Sequence, residues 1–73
     1  MKFSDLKSKY SDYDSAKSNE NYIVIGNFLV GSDGIISLSR NGTDVDGSYI
    51  NIYCNIAKNR TLEQMDKFIE SIL

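Results

Sequence analysis

Residues 49–56 read Tyr-Ile-Asn-Ile-Tyr-Cys-Asn-Ile, an alternation with no interruption. Successive side chains of a β-strand point to opposite faces, so this stretch reads as a strand with two unlike sides. Ile50, Ile52, Cys54 and Ile56 form one row, which is expected to be buried. Tyr49, Asn51, Tyr53 and Asn55 form the other, a ladder of phenols and amides that an apolar core would leave unpaired.

Length limits what that strand can pack against. A chain of 73 residues is expected to form a single small domain over 1–73. Such a domain buries only about 60% of the surface of its unfolded chain, so its stability is marginal. Disulfides or a structural metal often help at this size, but the chain has one cysteine and no histidine. Burial across a subunit interface is the remaining common aid, which leaves a homodimer and a monomer as the two alternatives. Cys54 falls on the apolar row and reads as a small buried hydrophobe rather than a reactive thiol.

The remaining elements follow from periodicity. Phe3, Leu6, Tyr10 and Tyr13 recur at helical spacing and predict a helix over about 3–14, with Ser4 or Asp5 as its cap. Ser15 to Asn21 is polar and aperiodic and reads as a loop. Tyr22 to Val30 is apolar and rich in β-branched and aromatic residues, which suits one strand over about 22–30 with a bulge at Gly26. Gly31-Ser32-Asp33-Gly34 is a turn by composition, and alternation resumes over about 35–40. The stretch between Asn41-Gly42 and Asp46-Gly47 is either one long loop or a short extra ribbon. The alternating strand then runs over about 48–56. Leu62, Met65, Ile69 and Ile72 mark a closing helix over about 61–73, and Thr61 with Gln64 fits the capping-box spacing.

The order is therefore α-β-β-β-α, an α+β fold in two layers. A three-stranded antiparallel meander would carry the N- and C-terminal helices. Ile23, Ile25, Leu29 and the row from Ile50 to Ile56 would line the helix side. Tyr22, Val24, Phe28, Val30, Ile35, Tyr49 and Tyr53 would line the opposite face. That is too much apolar surface for a monomer of this size to leave wet. Either one helix crosses to cover it, or another molecule does.

Chemistry is more sharply bounded. Without histidine, Ser-His and Cys-His catalysis is excluded, and one thiol leaves no common zinc site. Gly26, Gly31 and Gly34 have neither Walker nor dinucleotide spacing, so no phosphate-binding cofactor loop is expected. Asp44, Asp46 and Ser48 resemble the start of a calcium loop, but Tyr49 stands where glycine must turn the chain. The chain is therefore expected to be non-enzymatic, with no catalytic residue, metal or cofactor.

Recognition remains. Tyrosine gives large contact area at small entropic cost, and amides beside it supply directional hydrogen bonds. The candidate partner-binding residues are Tyr22, Phe28, Tyr49, Asn51, Tyr53 and Asn55. The competing reading is that the tyrosines pack beneath the first helix. Net charge is −2 with no basic stripe, which favours a protein partner, either a host protein or a second copy, over nucleic acid. No secretory pattern opens the chain and no apolar run reaches the ~20 residues of a membrane span, so a cytoplasmic protein is expected. The absence of proline and the abundance of Asn, Ile, Lys, Ser and Tyr match AT-rich coding, as in phages and mobile elements of low-GC bacteria. The function expected is a small interaction module that inhibits or regulates a host protein by occluding it. A sheet that binds single-stranded nucleic acid is the alternative. A carboxylate-dependent enzyme is a remote third.

Overall fold

A computed structural model describes residues 1–16 and 19–73. The expected loop over 15–21 contains Lys17 and Ser18, which lie outside the described residues. In chain order the elements are α1 (Phe3–Lys9), β1 (Tyr22–Ile25), β2 (Phe28–Gly31), β3 (Ile36–Thr43), β4 (Tyr49–Ala57) and α2 (Leu62–Ile72). The fold is α+β, and its sheet is an antiparallel meander of four strands in the order β1-β2-β3-β4.

The extra strand corrects the expected single strand over 22–30. Gly26 is not a bulge but part of a tight turn, with φ +59, a left-handed conformation that glycine adopts at little cost. The chain reverses there, pairing Ile25 with Phe28 and Ile23 with Val30. Paired residues share a face, so the reversal changes the parity of the residues that follow it in this stretch. Phe28 and Val30, expected opposite the helices, join Ile23 and Ile25 on the helix side. Leu29, expected on the helix side, pairs with Val24 on the open face.

Both helices lie on one side. The core joins Leu6 and Tyr10 of α1 to Ile23, Ile25, Val30 and Ile36 of the sheet and to Met65 and Ile69 of α2. Phe28 meets Phe68 edge to face, with ring centroids 5.2 Å apart. Neither helix crosses to the tyrosine side, so the tyrosines of β4 do not pack beneath α1. The α2 cap forms as its spacing suggests: Gln64 N donates to Thr61 Oγ1 at 3.1 Å, and Thr61 N donates to Gln64 Oε1 at 2.9 Å. The α1 stripe is shorter than expected, because the helix ends at Lys9 and Tyr13 is exposed beyond it.

Polar contacts fasten α1 to the remainder. Tyr10 Oη donates to Asp66 Oδ1 at 2.5 Å, and Lys9 Nζ reaches both Asp66 oxygens at 3.0 Å. Burial first, and then the Asp66 carboxylate, push the Tyr10 phenol above its usual range. Tyr10 and Lys9 together outweigh partial burial and hold the Asp66 carboxyl below its usual range.

The sheet is longer than its helical cover. β4 has nine residues and extends about 30 Å at 3.4 Å per residue. The helices have seven and eleven residues and reach only about 10 and 16 Å at 1.5 Å per residue. β2 pairs with β3 only from Ile36 to Leu38, whereas β3 pairs with β4 out to Thr43 and Tyr49. Beyond Leu38, β3 and β4 therefore continue as a two-stranded ribbon, closed by a turn at residues 44–48. The connection expected between Asn41 and Gly47 is neither a long loop nor a separate ribbon, since β3 itself runs on to Thr43, and the resulting arm accounts for molecular extents of 44 × 23 × 20 Å. No helix among the described residues is long and apolar enough to cross a membrane.

Candidate functional site

The ribbon and the open sheet face bring most of the candidate residues together. Ser37 pairs with Asn55, Ser39 with Tyr53, Asn41 with Asn51 and Thr43 with Tyr49, all on the side away from the helices. That side of the ribbon carries no charged group. Tyr49 is 89% exposed and Tyr53 52% exposed, which leaves both rings available for contact. Tyr22, Leu29, Ser37, Tyr53 and Asn55 border a shallow groove of about 470 Å³ at the base of the arm. Within it Ser37 Oγ donates to Asn55 Oδ1 at 2.9 Å, which fixes the amide across the two strands. Tyr22, Tyr53 and Asn55 thus converge on one groove. Tyr49 and Asn51 lie farther out along the arm.

Phe28 is the exception. It occupies the helix face against Phe68 and belongs to the packed layer. Leu29, Ser37, Ser39, Asn41 and Thr43 share the open face with the tyrosines and were not anticipated as part of the site. The alternation of Ser37 and Ser39 against Ile36 and Leu38 was a usable signal for two of them.

The apolar row of β4 is not buried as expected. Ile50, Ile52 and Cys54 do lie on the helix side of β4, opposite Gly42, Arg40 and Leu38. They are nonetheless uncovered, because the helices stop short of the ribbon. Ile50 is 41% and Ile52 45% exposed, and Cys54 is a free, exposed thiol rather than a buried hydrophobe. Ile56 lies at an irregularity in the β3–β4 register, where Ile36 pairs with Ala57 and Ser37 with Asn55, and it too is exposed. Ile52 leans over Gly42, where an added Cβ would lie 2.6 Å from its Cδ1.

The two edges of the sheet differ sharply. The β1 edge is closed by the chain itself: Ser15 N donates to Val24 O at 3.0 Å, Val24 N donates to Asp14 Oδ1 at 2.9 Å, and Lys7 Nζ donates to Tyr22 O at 3.0 Å. Asp14 is buried and also accepts from Lys7 Nζ and from Ala16 N. Burial opposes its ionisation, but the Lys7 ammonium and the two amides outweigh burial and hold its carboxyl below the usual range. Among the described residues the β4 edge has no such cover. Ser39 N donates to Asn27 O at 2.6 Å, so Ser39 points its amide away from β4. Antiparallel ladders alternate, so Tyr53 turns its own N–H and C=O outward, and Tyr49, Asn51 and Asn55 do the same.

At the ribbon tip the carboxylates serve the turn. Asp46 Oδ1 accepts from Ser48 N at 2.9 Å, a contact that keeps its carboxyl below the usual range, and Asp44 O accepts from Gly47 N at 3.0 Å. Among the described residues no group of three or more potential metal ligands gathers. Comparison with protein-family models, with curated proteins and with solved structures finds no match to this chain.

Proposed function

We propose that this chain is a small, non-enzymatic protein-interaction module whose recognition element is the β3–β4 ribbon. The carrying observation is the exposed, uncharged face of Tyr49, Asn51 and Tyr53 on an arm that projects beyond the helical layer, continued by Asn55 at its base. A projecting ribbon has little packing of its own, since an isolated hairpin is marginally stable in water. Contact with another protein would order it and bury its aromatic rings. The use inferred for the arm is occlusion of a host protein by a product of a phage or mobile element, in keeping with the small acidic chain and its AT-rich residue usage. Nucleic acid is the weaker occupant. The one charged side chain in the ribbon's strands beyond Leu38 is Arg40, and it pairs with Ile52 on the face opposite the tyrosines.

The test places a photo-crosslinking side chain at Tyr53 in one protein and at Glu63 on α2 in a control, each in cells of the source. Adducts with a defined protein from position 53 only, lost when Tyr49→Ser is added, support the reading. Tyr49→Ser/Tyr53→Ser, without the crosslinker, should no longer co-purify with that same protein, while its circular dichroism spectrum stays unchanged. A salt-sensitive gel shift of labelled single-stranded DNA or RNA, without protein adducts, would replace it with the nucleic-acid reading.

A further inference from the structure

We propose that the bare edge of β4 pairs with β4 of a second copy of this chain, antiparallel, about a two-fold axis at Ile52. This rests on the reading of the ribbon as a contact arm and names what lies along its edge.

Natural sheets protect exposed edges with charge, proline, bulges or covering segments. The β1 edge follows that rule through Asp14, Ser15 and Lys7. From Tyr49 to Asn55, β4 has regular pairing and neither a charged residue nor a proline. An antiparallel strand that pairs with its own copy meets its own side chains across the axis, so any charge near the centre would face its like. An uncharged strand is the condition for self-pairing without that penalty.

The register follows from the backbone and the pattern. Tyr49, Asn51, Tyr53 and Asn55 present outward N–H and C=O groups, and the regular run ends before Ile56. Centring that run on Ile52 sets Tyr49 opposite Asn55, Asn51 opposite Tyr53 and Ile50 opposite Cys54, with Ile52 facing its symmetry mate. Apolar then meets apolar on the helix side, and phenol meets amide on the open side.

Charge complementarity beyond the ladder favours the same arrangement. The symmetry carries each copy's Asp44-Val45-Asp46 turn past the end of the other's β4, toward Lys58 and Arg60. A groove of about 370 Å³ opens there, floored by Ile36, Ile56, Ala57 and Phe68 and rimmed by Arg60 and Lys67. Val45 is fully exposed at the turn and is flanked by two carboxylates. An apolar tip between acids fits an apolar floor between bases. The paired sheets would form one eight-stranded layer, with both copies' tyrosine faces on the same side.

Sedimentation equilibrium from low to high micromolar concentration, with the full chain, tests the association. A monomer–dimer equilibrium weakened by salt is expected. Ile52→Lys places like charges across the axis and should raise the dissociation constant at least about tenfold, with unchanged circular dichroism. Register is tested by Ile52→Cys in a Cys54→Ser background. Facing residues at a non-hydrogen-bonded site lie about 4.5 Å apart at Cα, within disulfide reach, so mild oxidation should link the copies. The two native Cys54 residues would sit about 13 Å apart along the strands and should not link. A monomer throughout, a dimer indifferent to Ile52→Lys, or linkage through Cys54 instead of position 52 would each overturn the proposal. A monomer whose position 53 still captures a host protein removes the dimer alone, whereas a dimer without such capture removes only the host partner.

Discussion

Asp14 should be the most damaging single site outside the apolar core. Its carboxylate accepts from the Val24 and Ala16 amides and from the Lys7 ammonium, all at a buried position beside the β1 edge. Asp14→Ala leaves two amides without an acceptor, at about 1–3 kcal/mol each, and breaking a buried pair from one side costs about 3–5 kcal/mol. These figures overlap, and Lys7 keeps the Ala16 and Tyr22 carbonyls as partners, so the net loss should be about 3 kcal/mol. A domain of this length has about 4–11 kcal/mol in hand. The melting temperature should therefore fall by roughly 12–24 °C. Asp14→Asn keeps an oxygen for the amides but loses the charge, and should recover about half of the loss. The sign of the acid dependence follows from the depressed carboxyl. Its contribution is present above the ordinary value of 3.8 and is lost as pH falls through the lower folded value. Wild type should thus lose stability as pH falls below about 4, and Asp14→Asn should show a shallower fall on that acid limb. Urea unfolding followed by circular dichroism at pH 7, 5, 4 and 3 measures both effects. Asp14→Ala within 1 kcal/mol of wild type at pH 7, or identical acid limbs for wild type and Asp14→Asn, would show that the Asp14 carboxylate does not hold the β1 edge.

Other positions report on separate parts of the fold. Phe28→Ala removes the edge-to-face contact with Phe68 and should cost about 2 kcal/mol in urea unfolding, whereas Tyr49→Ser should stay within about 0.5 kcal/mol. Equal effects at the two sites would contradict the face assignment set by the Gly26 turn. Tyr10→Phe should cost about 1–2 kcal/mol. It should also raise the Asp66 pKa, seen as an upward shift of its carboxyl titration by NMR, because the phenol is the main group holding that carboxyl down. Ile69→Ala, at a fully buried site, should cost about 2–5 kcal/mol in the same unfolding assay. Thr61→Ala should cost about 0.5–2 kcal/mol through loss of the α2 cap.

Local patterns were legible where they depend on neighbours in sequence. The alternation of β4, the Thr61–Gln64 cap and the α2 stripe are each properties of a few adjacent residues, and each forms. The strand over 22–30 conceals a hairpin whose signal is present in Gly26-Asn27, glycine at the first turn position, but the apolar run on both sides of it also fits one buried strand. With the turn missed, parity carried Phe28 and Val30 to the wrong face and Leu29 to the other. Asp14 gave no sign of its role, because a carboxylate in a serine-rich segment looks like solvated surface until Lys7 and Val24 are brought to it. Of the candidate binding residues, Tyr49, Asn51, Tyr53 and Asn55 share a face because alternation alone dictates it. Tyr22 joins them through register: it lies on the side of β1 that carries Val24, which pairs through Leu29 and Ser37 to Asn55.

Burial failed for a different reason, and it is the one that bears on function. Alternation determines which residues share a side, but cover depends on how far the other layer reaches. A strand rises about twice as far per residue as a helix, so eleven helical residues cannot shield nine strand residues. Ile50 and Ile52 are therefore uncovered by geometry, not by a weakness of their pattern. The chain closes its β1 edge with Asp14, Ser15 and Lys7, which shows that its sequence can protect an edge where protection is needed. On β4 the unprotected edge, the uncovered isoleucines and the exposed tyrosines coincide along one strand. Contact along that strand would satisfy all three together, whereas contact at any other surface would leave every one of them in water.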